Sequence, residues 1–269
     1  MSDRPTPWTL AALLDAPPGD FAAAVRQAAE LGFTHVDIVA RAERPAADVE
    51  ALADAGVTVR CAALGRGLPP GCALDAADAG VRREALRLMQ QQAADAARLG
   101  ATHAYVVAGA DASAAGRARF AEACGLLADF AARRMLWLCV EPAPGRALPD
   151  AAAALDWLED AAHPELALLL DVGHCLISGE DPAAAARRAG PRLGYVHLDD
   201  NDGMSDLHWP LLTGRLTRTH LEELAAALRA IDFRGGLALE LKAEPDVLAD
   251  ALRRSKAVAE QALFHAEGD

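Results

Sequence analysis

The stretch Leu166-Ala-Leu-Leu-Leu-Asp-Val-Gly-His174 decides the fold. Its first five residues are an uninterrupted apolar run, which marks a parallel strand covered on both faces; a strand with one wet face would alternate. The run then ends in a carboxylate, a glycine and an imidazole. Three other segments share this grammar: Trp137-Leu-Cys-Val-Glu141, Leu193-Gly-Tyr-Val-His-Leu-Asp-Asp-Asn201 and Leu237-Ala-Leu-Glu240. In α/β sheets and barrels the carboxyl ends of the strands carry the chemistry, so polar side chains placed there are candidates for function before packing.

Outward from this stretch, strand and helix signals alternate along the chain. A short segment at residues 8–14 precedes a helix over 20–31, with Asp20 as its N-cap and Gly32 as its stop. Strands follow at 34–39, 57–64, 102–107 and 135–141, separated by a helix at 46–55, a long amphipathic helix that follows the Gly/Pro-rich loop 65–71 and ends near Leu99-Gly100, and a helix at 114–134. A helix at 150–160, the strand ending at Asp171, a short helix at 181–189 and a strand at 193–198 come next. After a long loop over 199–216, a helix at 220–231, a strand at 236–241 and a closing helix at 245–264 complete the chain. Leu31-Gly32, Ala55-Gly56 and Leu99-Gly100 each end a helix with a glycine suited to the left-handed cap.

Eight strand–helix units in 269 residues predict a closed (β/α)8 barrel, whose usual length is ~250 residues. A doubly wound sheet would carry a glycine-rich phosphate turn after an early strand, and the sequence has none. No linker interrupts residues 1–269, so one domain is expected. Hydrophobic residues make up 52% of the chain, enough for a large core, and the alanine tracts are helix filler.

The formal charge is 26 − 39 = −13, and no Lys/Arg cluster forms a nucleic-acid footprint. Basic doublets at Arg133, Arg187 and Arg253 fall late in helices, where they complement the macrodipole. The five cysteines form no C-x-x-C pair and are odd in number, which reads as an intracellular chain without disulfides. With no leader-like start and no apolar run near ~20 residues, a soluble cytoplasmic protein is expected.

A barrel points its strand ends at one mouth, so Glu141, Asp171, His197 and Glu240 can converge. Three carboxylates and one imidazole suit a single divalent ion such as Mn²⁺, Mg²⁺, Co²⁺ or Zn²⁺. Without a cation the carboxylates would repel one another. With one, a pair of sugar oxygens can complete its coordination, and a polarised carbonyl makes an enediolate accessible.

At these residues the chain resembles the xylose-isomerase-like barrel superfamily, which holds sugar and sugar-phosphate isomerases and epimerases and the AP endonuclease IV group. The resemblance covers most of the chain and is strongest at Val140-Glu-Pro142, Asp171-Val-Gly-His174, Val196-His-Leu-Asp-Asp-Asn201, Asp206-Leu-His208 and Glu240. It implies that Glu141, Asp171, His197 and Glu240 bind one metal ion. It also implies that Glu141 and Glu240 are the acid–base pair and that His174 contacts substrate oxygens. Asp206 and His208 are then substrate-facing or auxiliary ligands. Trp209, an aromatic residue in a polar loop, is a further candidate wall of the substrate site.

Departures narrow the reading. The endonuclease-like members add histidines at strands three and four; here those positions read Arg60-Cys-Ala-Ala63 and Val106-Val-Ala-Gly109, which argues against a trinuclear site and DNA. Gly214 matches the family's glycine pair after the long loop, whereas Leu212 replaces its partner. No arginine follows His197 at close spacing, where several epimerases hold their substrate.

The resemblance therefore implies a metal-dependent isomerase or epimerase of a small sugar, keto-sugar or related polyol carbonyl compound, acting through an enediolate. The competing readings are a metal-dependent dehydratase of inosose or dehydroshikimate type, and a non-catalytic sugar-binding subunit. The expected partner is a carbohydrate, with no nucleic acid or membrane; exposed apolar positions leave room for a homodimer. Trp8 is a candidate pocket wall, and Asp37 and Lys242 are candidates to reach the mouth. His35 and His103 start their strands on the opposite face, and His163, His220 and His265 lie in helices or loops without a site role.

Overall fold

In a computed structural model, which describes residues 8–16 and 19–264, eight parallel strands pair in chain order. They are β1 (Thr9–Leu14), β2 (His35–Val39), β3 (Thr58–Ala63), β4 (His103–Val107), β5 (Trp137–Glu141), β6 (Leu166–Asp171), β7 (Leu193–Leu198) and β8 (Gly236–Leu239). Leu10 of β1 pairs with Leu237 of β8, which closes the barrel. Outside it lie α1 (Phe21–Glu30), α2 (Ala46–Ala55), α3 (Ala79–Arg98), α4 (Ala114–Ala132) and α5 (Ala151–Ala161). They are followed by α6 (Val172–Ser178), α7 (Pro182–Ala189), α8 (Arg218–Ala230) and α9 (Pro245–Ala259), the last running into a π-helical turn at Glu260–Phe264. The architecture is the (β/α)8 barrel expected from the sequence.

The period of two along each strand sorts side chains between two cores. Leu138 and Val140, Leu166, Leu168 and Leu170, Val196 and Leu198, and Leu237 and Leu239 face the helices and pack with Leu127, Leu158 and Leu221. The alternate residues, Cys139, Ala167, Leu169, Tyr195 and Ala238, fill the lumen with Ala11, Cys61, Ala63 and Tyr105. Continuing that inward phase to the strand ends places Glu141, Asp171, His197 and Glu240 inside the mouth. Gly236 shares the phase, and a Cβ there would come within 2.6 Å of the Tyr195 ring, so glycine admits the tyrosine.

Side chains of Asp78, Ser113, Asp150, Asp171, Asp181 and Thr217 each accept a backbone N–H at a helix start. Asp20 does not: its backbone is already helical (φ −98°, ψ −2°), so its carboxylate makes no capping bond. Helix α6 is a further departure. Its seven residues, opening Val-Gly, carry a weak helix signal, and the turn depends on the Asp171 carboxylate capping His174 N–H at 2.8 Å. His265 lies outside the described residues.

Candidate metal centre

The four strand-end side chains meet at His197. Its Nδ1 lies 2.7 Å from Glu240 Oε2, 3.3 Å from Glu141 Oε1 and 4.0 Å from Asp171 Oδ2. One ligand atom from each of the four residues lies within 4.8 Å of every other, and all four residues are buried. Ligands held at ~2.1 Å from one ion stand roughly 3 Å apart, and the separations from His197 Nδ1 fall on both sides of that spacing. Both His197 ring nitrogens and Asp171 Oδ2 are buried without a hydrogen-bond partner. Leaving such groups unpaired costs about 1–3 kcal/mol each. The donor set and its orphaned atoms fit a divalent cation.

The two glutamates differ in environment. Burial pushes the Glu141 carboxyl up against the opposing pull of His197. Burial also disfavours charge on Glu240, but His197, His208 and Arg66 outweigh it and hold that carboxyl well below its ordinary range. His197 would be lowered by burial, yet Glu240 and Glu141 raise it well above the ordinary histidine value.

A second group lies beside the first, shared between His174 of α6 and the long loop that follows β7. His174 Nδ1 donates to the Pro142 carbonyl at 2.9 Å, which leaves Nε2 3.3 Å from Asp206 Oδ1. His208 Nε2 lies 3.0 Å from the same oxygen, and its Nδ1 lies 2.9 Å from Asp199 Oδ2. Burial lowers His174, but Asp171 and Asp206 push it up to about 11. Burial and Asp171 push Asp199 up to about 8. Asp171, Asp199 and His208 form a second set of mutually close ligand atoms that shares Asp171 with the first.

The loop is shaped from within by Asp200. This fully buried carboxylate accepts the N–H groups of Asn201 (2.8 Å), Gly214 (2.6 Å) and Leu216 (2.8 Å). The backbones of Asp200 and Trp209 also pair at 2.7 and 3.0 Å. Gly214 is required, because a Cβ would meet the Asn201 carbonyl at 2.1 Å. Leu212, the departure noted above, takes a left-handed φ of +63°, and His208 takes +49°. The latter is a costly backbone geometry for a residue at a candidate site.

A cavity of about 480 Å³ opens over these groups, lined by Glu141, His174, Asp206, His208, Glu240 and Lys242, together with Arg66 and Tyr105. Trp209 is 37% exposed and is not among the cavity's lining residues. Trp8 does not wall the pocket: it begins β1's end of the barrel, packs on Phe233 and Phe264, and donates to the Phe233 carbonyl. Asp37 stops short of the mouth because two residues of β2 lie beyond it. It sits in the lumen, accepts Tyr195 O–H (2.8 Å) and Cys61 N–H (3.0 Å), and has its other oxygen 3.9 Å from His197 Nε2. Burial pushes Asp37 up to about 7.

Two site residues went unassigned in the sequence. Asp199 was signalled only by the Asp-Asp-Asn run after His197. Arg66 lies in a Gly/Pro loop without periodicity, yet it donates to Glu240 Oε1 at 2.9 Å. His103 is buried at the far end of the barrel between Trp137 and Tyr195; His163 lies near Asp129 and His220 completes a helix cap. No described helix is long and apolar enough to cross a membrane.

Residues 25–261 match the family model described as xylose isomerase-like TIM barrel. A D-psicose 3-epimerase from Enterocloster bolteae is 29% identical over 91 residues, which are 32% of this chain and 26% of that protein. The matched segment thus spans about a quarter of the curated relative. Among solved structures, a D-psicose 3-epimerase obtained with D-fructose superposes with a TM-score of 0.79 at 20% identity, covering 95% of this chain and 99% of the other. A D-allulose 3-epimerase from Methylomonas sp. does so with a TM-score of 0.78 at 22% identity, covering 98% of each. At these identities the superpositions show a shared fold, while the family match extends over most of the chain. The chain belongs to the xylose isomerase-like TIM barrel family.

Proposed function

We propose that this protein is a divalent-metal-dependent isomerase or epimerase of a small sugar, keto-sugar or related polyol carbonyl compound. The observation that carries the reading is the meeting of Glu141, Asp171 and Glu240 on His197 Nδ1, beside a cavity of sugar-binding size. The names of the similar proteins, all sugar epimerases, agree with it.

Glu141, Asp171, His197 and Glu240 hold one ion, of the Mn²⁺, Mg²⁺, Co²⁺ or Zn²⁺ class. When bound, such an ion polarises a carbonyl and offsets the charge that develops on deprotonation beside it. Glu240 and Glu141 take and return the proton at the neighbouring carbon, approaching from β8 and β5, three strands apart around the mouth. His174, fixed through Nδ1, turns Nε2 toward substrate oxygens, with Asp206 and His208 on the same wall. The net charge of −13 supports a small-molecule substrate over nucleic acid. Residues 1–269 act as one cytoplasmic domain, with a homodimer as the assembly to test.

The His174–Asp206–His208 cluster favours one second reading. Against burial, Asp171 and Asp206 push His174 up to about 11, and Asp199 and Asp206 push His208 up to about 10, so a charged acid stands beside the base and could assist loss of a β-hydroxyl, as in a dehydratase. Metal analysis of the purified protein, followed by turnover of ketoses and inososes, separates these readings. Isomerisation yields an isomeric sugar, whereas dehydration yields an ultraviolet-absorbing product. A protein that binds none of the four metals contradicts both and leaves a non-catalytic sugar-binding subunit.

A further inference from the structure

The loop leaving β3 is built to deliver one guanidinium to the candidate metal centre, and we propose that Arg66 is the positioning residue for Glu240. The inference rests on the isomerase or epimerase reading for its kinetic consequence, but its geometric content stands apart from that reading.

Glu240 follows the last residue of β8, and its carboxylate torsion is intrinsically broad. Here its two oxygens have separate partners. Oε1 accepts Arg66 Nη2–H at 2.9 Å, while Oε2 faces His197 Nδ1 at 2.7 Å. The guanidinium is itself bracketed: Nη2 also donates to the Tyr105 hydroxyl at 3.2 Å, and Nη1 donates to Asp15 Oδ2 at 2.9 Å. Strands β1, β4 and β8 thus all meet at this one side chain. A planar fork with fixed donors can make these contacts together, which a lysine ammonium cannot reproduce.

The backbone carrying Arg66 is clamped on both sides by one buried residue. Gln92 of α3 accepts Gly65 N–H through Oε1 at 2.7 Å and donates through Nε2 to the Arg66 carbonyl at 3.1 Å. Gly65 adopts φ +84°, a left-handed turn that calls for glycine. A surface ion pair with Asp15, which is half-exposed, would need none of this construction. The buried end of the arrangement is Glu240, and holding a proton-transfer carboxylate in place is worth far more to rate than to stability.

The test compares wild type, R66A, R66K and Q92L, all loaded with Mn²⁺, and adds a crystal structure of R66A. In R66A, Glu240 Oε1 should leave its wild-type position, kcat should fall ~100-fold as expected for a displaced catalytic group, and KM should change much less. Added guanidinium ion should restore part of the lost kcat, and R66K should restore little. Q92L, which keeps the arginine, should lower kcat in the same direction by a smaller factor. A Glu240 carboxylate unmoved in the R66A crystal overturns the proposal whether or not a substrate has been found. So does a loss confined to KM and insensitive to guanidinium. Wild-type enzyme that exchanges no substrate proton sinks the functional reading instead, and the crystallographic comparison still decides this one.

Discussion

Glu240 Oε2 lies 2.7 Å from His197 Nδ1, joining the ends of the neighbouring strands β8 and β7 at the centre of the candidate site. The contact pairs a carboxylate held in its charged form with a ring whose two nitrogens have no hydrogen-bond partner. Glu240→Gln keeps the shape and removes the charge. General acid–base groups contribute ~100- to 10,000-fold, so turnover should drop by at least ~100-fold and Mn²⁺ affinity should weaken. Steady-state kinetics with a parallel Mn²⁺ titration checks this; undiminished turnover removes Glu240 from the chemistry.

Gathering three carboxylates around one imidazole makes the folded chain a better cation ligand than the unfolded one. A divalent ion at a hundred times its Kd should stabilise the fold by about 2.7 kcal/mol. At roughly 2–4 °C per kcal/mol for a chain of this size, Tm should rise by about 5–10 °C. Thermal melts with and without Mn²⁺ measure it, and His197→Ala should abolish the increment. An equal rise in His197→Ala would place the ion elsewhere.

At the other end of the barrel His103 predicts an acid limb. Burial, then Arg60, lowers its pKa to about 3 from 6.5. The unfolded chain takes up a proton below ~6.5 that the folded chain refuses until about 3. Stability from this group is therefore complete above 6.5 and falls as the pH drops toward 3. The loss by pH 4 is on the order of 3 kcal/mol. Urea unfolding between pH 7 and 4 should show a shallower decline in His103→Gln than in wild type.

Asp200 organises the loop over residues 199–216 without touching the cavity. Asp200→Ala leaves three N–H groups without their acceptor, at about 1–3 kcal/mol for each that water cannot reach. Stability should fall by about 3 kcal/mol, amide exchange across the loop should quicken, and turnover should decline because His208 is carried there. Slow exchange retained at Gly214 and Leu216 would show that the loop holds itself.

The fold was legible because strand burial and strand phase leave direct marks on sequence. The run Leu166–Leu170 announces a covered strand, and counting in twos from Cys139, Leu169, Tyr195 and Ala238 lands on Glu141, Asp171, His197 and Glu240. Contacts that depend on loop geometry left no such mark. Arg66 reaches Glu240 across 174 positions, through a turn set by Gly65 and Gln92. Asp37 is a candidate for the mouth in the sequence because its place on a strand is visible there while its depth in the barrel is not. Trp8 is polar at one edge only, and its N–H found a backbone carbonyl in the core.

The central claim is metal-dependent proton transfer by the glutamates at this mouth, and solvent exchange tests it most directly. The Mn²⁺-loaded protein, incubated in D₂O with a panel of ketohexoses, should place deuterium on the carbon beside the carbonyl of at least one sugar. The label should be absent with the metal removed and in both Glu141→Gln and Glu240→Gln. Undiminished labelling by the metal-free protein or by either variant would contradict the account, as would fully loaded wild-type protein that labels no member of the panel.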